Sequence, residues 1–129
     1  MPGDVSSPRP DRYNPGASVT WLAEVPLTWV IDGKRVQGLI AIGMPELVEG
    51  EDEGGEGEAI CTIALDGLQP RTTVHGEGKF HALLMGFNFI GARLRDHVSK
   101  GARAVFPGDV EDPERDTASL LAMFKPLDG

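Results

Sequence analysis

The sequence is poor in the residues that would allow cross-linking or membrane insertion. It contains a single cysteine, Cys61, so an internal disulfide is excluded and a reducing compartment is expected. No segment approaches the roughly 20 apolar residues that a membrane-spanning helix needs. The N-terminal stretch "MPGDVSSPRPDRYNPGAS" has no apolar run typical of a secretory signal. These absences predict a cytoplasmic protein that does not bind membranes.

Basic residues are nearly absent from the two stretches where acidic residues concentrate. The chain has a net charge of −8 and a pI of about 4.7. Residues 46–58 hold seven carboxylates and no lysine or arginine, and residues 109–116 hold five acids and one arginine. Together they carry −11, which leaves +3 for the rest of the chain. Because phosphate contacts require a basic face, direct nucleic-acid binding is disfavoured, whereas attraction to a basic partner protein is favoured.

The length of 129 residues predicts one domain that can fold without metals or disulfides. Residues 1–18 are rich in proline, glycine and serine, so we expect a flexible N-terminal tail. Residues 19–129 are expected to form a single α+β domain that includes an acidic loop at residues 46–58.

A β-hairpin is the clearest structural signal in the sequence. In "VTWLAEVPLTWVI" every second residue from Val19 is apolar, and the positions between them include Thr20, Glu24, Pro26 and Thr28. This alternation is typical of a half-buried strand. Asp32-Gly33 then favours a two-residue type I′ turn before "KRVQGLIAIGM". This turn predicts five apolar cross-strand pairs: Trp29 with Val36, Leu27 with Gly38, Val25 with Ile40, Ala23 with Ile42, and Trp21 with Met44. Pro26 lacks an N–H group, so the first strand is expected to be a sheet edge at least locally.

The remaining segments predict an antiparallel sheet of four to five strands with one long helix packed on one face and a short C-terminal helix. Strands are expected in "EAICTIALD", "RTTVH" and "ARAVF", and the second helix at "DPERDTASLLAMF". The long helix is expected from about Lys79 to Lys100. The predicted core residues of the sheet are Trp21, Val25, Trp29, Ile40, Ile42 and Ile63.

Helical periodicity between Lys79 and Lys100 predicts two apolar faces. The sheet-facing stripe is expected to contain Phe80, Leu83, Leu84, Phe87, Ile90, Gly91, Leu94 and Val98. Met85 and Phe89 then fall on the opposite, solvent-facing side. Either the C-terminal helix covers this second patch through Leu120, Leu121 and Phe124, or the patch binds a partner or a second copy of the chain.

The sequence offers few candidates for catalysis or cofactor binding. "HGEGKF", from His75 to Phe80, resembles a phosphate-binding loop but lacks the hydroxyl residue after the lysine. The three histidines and the acidic stretches lack the spacing of metal ligands. Cys61 and His75 could meet on neighbouring strands, although a thiol in an apolar strand is usually buried and inert. No cofactor is therefore predicted.

The segment "VHGEGKFHALLMGFNFIGARLRDHV" resembles the helix motif of a family of short bacterial domains of unknown function. In that family a strand and a glycine-containing loop precede a helix of the form A-L-x6-I-G-x-x-L. The matching residues are Ala82, Leu83, Ile90, Gly91 and Leu94. In size and acidity the chain also resembles bacterial immunity proteins, which bind and silence a cognate toxin, and this likeness implies a non-enzymatic protein-binding role.

Two acidic clusters are therefore the predicted partner-binding sites of an immunity-type inhibitor that occludes a basic site on a toxin. Glu49, Glu51, Asp52, Glu53 and Glu56 would steer the partner, assisted by Asp109, Glu111 and Asp112. The alternative interpretations are a small ligand-binding or enzymatic domain that uses the loop from His75 to Lys79, and a homodimeric structural protein joined through Met85 and Phe89. An ordinary solvated loop remains the simplest interpretation of the acidic stretch.

Overall fold

A computed structural model describes residues 19–48, 57–108 and 110–124. They form an α+β fold in which two helices cover one face of a six-stranded antiparallel sheet. The strands and helices in chain order are β1 (Trp21–Ile31), β2 (Lys34–Gly43), β3 (Glu46–Leu47), β4 (Ala59–Asp66), β5 (Gln69–Gly76), α1 (Lys79–Ser99), β6 (Arg103–Val105) and α2 (Pro113–Met123). The predicted fold class is confirmed, and the short strand β3 accounts for the sixth strand.

The β1–β2 hairpin has the predicted turn and most of the predicted register. Asp32 and Gly33 have φ angles of 53° and 78°, as a type I′ turn requires. Four of the five predicted pairs are present, from Trp29 with Val36 to Ala23 with Ile42. The fifth pair is wrong, because a register shift between Trp21 and Ala23 pairs Trp21 with Gly43.

This register shift changes the environment of Trp21. A shift of one residue turns a side chain to the other face of a sheet. The Trp21 side chain therefore lies on the face of the sheet that the helices do not cover. It is half-buried, and the guanidinium carbon of Arg71 is 5.1 Å from the centroid of its ring. The prediction that Trp21 belongs to the core is wrong, whereas Trp29, Ile40, Ile42 and Ile63 are buried as expected.

Among the described residues, β1 lacks a second neighbouring strand from Trp21 to Leu27, which includes Pro26. Residues Thr28 to Val30 pair with β6, so β1 has neighbours on both sides there. Pro26 lies outside the paired stretch, in agreement with the missing N–H group.

Small residues of α1 face the sheet, which reverses part of the predicted helix orientation. The buried positions of α1 are Ala82, Gly86, Ile90, Gly91 and Leu94. The expected sheet-facing position of Gly91 is wrong, because a Cβ atom there would lie 3.0 Å from Phe124 Cβ, at the end of α2. A Cβ atom on Gly86 would lie 2.8 Å from Ile42 Cδ1, so the helix approaches the bulky side chains of the sheet closely. The expected inward placement of Phe80, Leu84 and Phe87 is wrong, because these side chains are 74%, 47% and 39% exposed.

The predicted solvent-facing patch of Met85 and Phe89 is also corrected. Phe89 is half-buried and packs against the hydrophobic core, while Met85 is 40% exposed. The end of α2 covers a different part of α1, where the ring centroids of Phe87 and Phe124 are 6.4 Å apart. Phe89 is thus less accessible than expected, and a dimer interface through Met85 and Phe89 stays a prediction.

His97 makes the stability of the fold depend on pH. Its Nε2 donates to Gln69 Oε1 at 2.8 Å, and burial, with a smaller effect of Arg93, lowers the pKa of His97. The unfolded chain therefore binds a proton at higher pH than the folded chain does. We expect the free energy of unfolding to fall as the pH drops below about 6.5, the ordinary histidine pKa.

Urea unfolding at several pH values between about 7.5 and 5.5 measures this effect. His97→Gln keeps a polar side chain beside Gln69 but cannot take up a proton, so the variant should show a smaller loss of stability over this range. An unchanged pH dependence in the variant would show that another group is responsible.

Candidate functional site

The acidic stretch connects two strands whose ends are fixed next to each other. In β3 and β4, Glu46 pairs with Ile60 and Leu47 with Ala59, and the Val48 N–H donates to the Glu58 carbonyl at 2.9 Å. We call residues 49–56, between these ends, the acidic segment. Five predicted partner-binding residues belong to it and lie outside the described residues: Glu49, Glu51, Asp52, Glu53 and Glu56. The hairpin thus holds both attachment points of the segment at one end of the sheet.

Several other features share this end of the sheet, which we call the acidic end. Strand β2 ends here at Gly43, and β5 ends at Gly76, which is paired with Ala59. Helix α1 begins nearby at Lys79.

The second acidic cluster is at the opposite end of the sheet. Arg35, near the β1–β2 turn, makes a two-pronged ion pair with Glu111, with Nη2 2.6 Å from Oε2. Asp112 caps α2, since its Oδ1 accepts a hydrogen bond from the Arg115 N–H at 3.1 Å. Along β2, Arg35 and Gly43 are roughly 25 Å apart.

The expectation that this second cluster assists the first on one surface is therefore wrong. Glu111 and Asp112 have intramolecular partners and lie at the wrong end, and Asp109 is outside the described residues.

An open hollow of about 580 Å³ lies at the acidic end, between the hairpin and the start of α1. Its lining residues are Gly57, Glu58, His75, Gly76, Glu77 and His81. The Nδ1 atom of His75 is hydrogen-bonded to the Glu58 carboxylate. His81 Nδ1 accepts a hydrogen bond from the Glu77 N–H at 2.8 Å, so the proton of neutral His81 is on Nε2.

The Glu58–His75 pair could not be predicted from sequence spacing. His75 is opposite Ile60 in the β4–β5 register, and Glu58 is just before β4. Only this register brings the two side chains together, and the sequence does not fix it. A carboxylate that orients an imidazole can support proton transfer. However, none of the described lining residues carries a hydroxyl or a thiol that could act as a nucleophile.

Cys61 does not contribute to this hollow. It pairs with Val74, so Cys61 faces the core while His75 faces the other side of the sheet. Burial, and to a smaller extent the charge of Glu46, raises the pKa of the Cys61 thiol. The considered pairing of Cys61 with His75 is therefore wrong, and Cys61 is a buried, protonated core residue.

Exposed apolar side chains are concentrated at the acidic end. Strands β1 and β3 and the turn before β3 expose Leu22 by 43%, Leu47 by 36% and Met44 by 44%. Phe80, in the first turn of α1, is 74% exposed. Large apolar side chains next to a charged segment are typical of surfaces that bind other proteins.

The arginines of the described residues have partners within the fold. Arg71 binds Asp66, Arg93 binds Gln69 and Asp96, and Arg103 binds Glu114. Three further contacts are Arg35 with Glu111, Arg95 with the Phe124 carbonyl, and Arg115 with Asp116. The described contacts of these six arginines are thus to carboxylates outside the acidic segment, to the Gln69 side chain and to backbone carbonyls.

The described part of the chain contains no group of three or more His, Cys, Asp or Glu side chains arranged to hold a metal ion. Within residues 19–48, 57–108 and 110–124, neither helix has the length and apolar character needed to cross a membrane. Comparisons with protein-family models, curated proteins and solved structures found no match to this chain. The resemblance of the α1 segment to a bacterial domain family therefore stays a prediction.

Proposed function

We propose that this protein is a non-enzymatic binding protein whose acidic end docks onto a basic partner protein. In its most specific form, the proposal is an immunity-type inhibitor that occludes the cationic site of a bacterial toxin. The observation that carries the proposal is the β3–β4 hairpin, which fixes both ends of the acidic segment beside exposed apolar residues. Asp109, Glu111 and Asp112 are not part of this proposed surface.

The charge distribution supports docking to a cationic surface. The carboxylates of residues 49–56 raise the local negative potential, and this potential accelerates encounter with a positive partner at low salt. The described arginines bind other groups of the fold. Apolar contacts with Met44, Leu47 and Phe80 would then contribute affinity that salt does not screen.

The first test is affinity capture from the native host, followed by binding measurements with the purified partner. Conversion of the five acids of the segment to their amides should weaken binding by about tenfold or more at low salt, because it removes the steering charge. The five changes are Glu49→Gln, Glu51→Gln, Asp52→Asn, Glu53→Gln and Glu56→Gln.

A matched pair of triple variants separates local charge from net charge. Glu51→Gln, Asp52→Asn and Glu53→Gln remove three charges from the acidic segment. Asp32→Asn, Glu111→Gln and Glu114→Gln remove three charges near the opposite end of the sheet, from exposed positions where ion pairs contribute little stability. Only the first triple variant should weaken binding. Equal losses in the two would show that net charge alone is responsible.

A ligand-binding or enzymatic role of the hollow is the second candidate function. It is supported by the Glu58–His75 hydrogen bond and by His81 in the same hollow. The described lining residues carry no hydroxyl or thiol, so a nucleophile would have to be a carboxylate or an imidazole of the same hollow.

A further inference from the structure

Strand β5 is an edge of the sheet within residues 19–48, 57–108 and 110–124. It pairs with β4 on one side only, whereas β1, β2 and β4 have neighbours on both sides over at least part of their length. The residues that flank a two-residue hairpin turn form a hydrogen-bonded pair, and such pairs alternate along antiparallel strands. Followed from β1 through β2 and β4, this alternation makes Cys61 and Val74 a hydrogen-bonded pair. The N–H and C=O groups of Thr73 and His75 therefore point away from the sheet.

The free edge of β5 lacks the features that usually prevent strand pairing. Natural edge strands carry lysines or prolines, or they place charged side chains along the edge. Residues 71–75 contain neither lysine nor proline. The Arg71 guanidinium is turned back over the sheet to bind Asp66, and His75 Nδ1 is hydrogen-bonded to Glu58, next to β4. The edge from residue 71 to residue 75 can therefore accept another extended strand.

Helix α1 lies above β5 and runs antiparallel to it. A Cβ atom on Gly76, at the end of β5, would be 2.3 Å from the Ala82 nitrogen. At the other end, Arg93 Nε donates to the side chain of the first residue of β5 at 3.1 Å. Three residues of a strand and seven residues of a helix each span about 10 Å. Counted from Gly76 and from Ala82, these lengths place Thr73 and Phe89 at the same level.

One flank of α1 is apolar and lies on the side of the β5 edge. The opposite flank contacts the end of α2, where a Cβ atom on Gly91 would be 3.0 Å from Phe124 Cβ. Met85, Phe89 and Ala92 are spaced by four and three residues and lie on the flank away from α2. Met85 and Ala92 are exposed, and Phe89 is half-buried. The edge strand and this flank form one surface, which we call the edge surface.

We propose that the edge surface is the interface of a two-fold symmetric homodimer. Thr73 would pair with Thr73 of a second copy, so that the two sheets join into one antiparallel sheet. Because α1 lies over β4 as well as β5, the two α1 helices would be roughly 10 Å apart, a distance at which helices pack. Phe89 would meet its copy near the symmetry axis, and Met85 would pack beside Ala92 of the second copy.

Self-complementarity favours a second copy as the occupant of this edge. A two-fold axis at Thr73 maps residues 71–75 onto themselves and places two threonines opposite each other, which is a favourable cross-strand pair. It also places Arg71 of each copy opposite His75 of the other. Glu58, which is hydrogen-bonded to His75, thus brings a second carboxylate toward each Arg71 guanidinium, which Asp66 binds within its own copy. This favourable charge arrangement occurs twice by symmetry.

The dimer goes beyond the proposed function and can be separated from it by salt. Antiparallel pairing of the two β5 strands places the β3–β4 hairpins at opposite ends of the joint sheet. Two copies with a net charge of −8 each repel one another, so added salt should strengthen the dimer. Docking to a basic partner should instead weaken with salt, so the two associations respond in opposite directions.

Sedimentation equilibrium of the wild-type protein over a range of concentrations should give a species of twice the chain mass of 13.8 kDa. Thr73→Pro removes an N–H that points outward, which an edge strand tolerates. This variant should therefore keep its circular dichroism and its cooperative urea unfolding, while the Kd of the dimer should rise by about tenfold or more, because the central strand pair is lost.

Three substitutions on α1 test the helical part of the interface. Ala92→Glu buries a carboxylate against Met85 of the second copy and should also raise the dimer Kd by about tenfold. Adding Met85→Lys to the same chain should restore the dimer, because each lysine then faces a glutamate of the other copy. Leu84→Glu is the matched control. It adds the same charge at a 47% exposed position on another side of α1 and should leave the dimer unchanged.

Thr73→Cys tests the position of the symmetry axis. Facing residues of a hydrogen-bonded pair have Cα atoms about 5.5 Å apart, which is within the range of a disulfide. Mild oxidation should therefore cross-link this variant into a dimer, whereas the buried Cys61 of the wild-type protein should not form a cross-link. A Thr73→Cys dimer that does not cross-link would contradict the pairing at Thr73.

Two further results would overturn the inference. One is a wild-type protein that stays monomeric at all concentrations and salt levels, because the edge would then be free or occupied by an extended segment of another protein or of this chain. The other is a dimer that both folded variants, Thr73→Pro and Ala92→Glu, leave intact, because its interface would then lie elsewhere on the molecule.

Discussion

Gly76→Ala is expected to lower the free energy of unfolding by about 3 kcal/mol or more, the upper range for overpacking a core. Gly76 ends β5, directly against the first turn of α1. A Cβ atom at this position would lie 2.3 Å from the Ala82 nitrogen and 2.6 Å from its Cα. These are backbone atoms of a helix, so no side-chain rotation can relieve the contact. The whole N-terminal part of α1 would have to move away from the sheet.

Urea unfolding followed by tryptophan fluorescence measures this loss. Gly108→Ala is the matched control, because a Cβ atom there would have no neighbour within 4 Å, and its effect should stay within about 0.5 kcal/mol. A Gly76→Ala variant as stable as the Gly108→Ala variant would contradict the described packing of α1 on β5.

Gly38→Ala is the second substitution expected to destabilise the fold strongly, again by about 3 kcal/mol. The indole ring of Trp29 lies directly over Gly38, and a Cβ atom there would be 2.4 Å from Cδ1 and Nε1 of that ring. Trp29 is fully buried, and its Nε1 donates to the Asp66 carbonyl at 3.1 Å. Displacement of the ring would therefore break a hydrogen bond as well as core packing.

Two comparisons test this explanation by the same unfolding measurement. In a Trp29→Leu background, which is itself less stable, the added Gly38→Ala change should cost clearly less than it does in the wild-type protein. Gly86→Ala should change stability by no more than about 1 kcal/mol. The closest atoms are the terminal Cδ1 atoms of Ile42 and Ile63, which a small χ2 rotation can move, and the change gains helix propensity. An equal cost of Gly38→Ala in both backgrounds would show that the Trp29 ring is not the obstacle.

The hairpin shows how far sequence reasoning reaches in this protein. The Asp32-Gly33 turn fixes the register locally, and the alternation of apolar residues extends it to Ala23 and Ile42. The register shift between Trp21 and Ala23 could not be predicted from the sequence, because no residue type near Trp21 signals a bulge. The consequence is large, since Trp21 moves from the predicted core to the other face of the sheet.

The face of α1 that meets the sheet could not be read from hydrophobicity alone. Phe80, Leu84 and Phe87 are larger and more apolar than Ala82 and Gly86, so they dominate a periodicity argument. Which face is buried depends instead on the space left above the sheet, where Ile42 and Ile63 project toward the helix. This space is a tertiary property, and it favours small helical residues over large ones.

The candidate site was predicted in part. The sequence indicates an acidic loop between two strands, and the hairpin of β3 and β4 supplies the strands. The sequence does not reveal that the second acidic cluster lies at the other end of the sheet, because this position depends on the path of the chain through α1 and β6. The hydrogen bond between Glu58 and His75 likewise depends on the β4–β5 register.

The salt dependence of the association rate with the captured partner tests the central claim most directly. The account predicts that the wild-type rate constant falls steeply with increasing salt, because screening weakens the steering by the acidic segment. The five-amide variant should associate about tenfold more slowly at low salt and approach the wild-type rate at high salt. A five-amide variant that keeps the wild-type rate at low salt, in a protein that is still folded, would contradict the claim that the acidic end docks the partner.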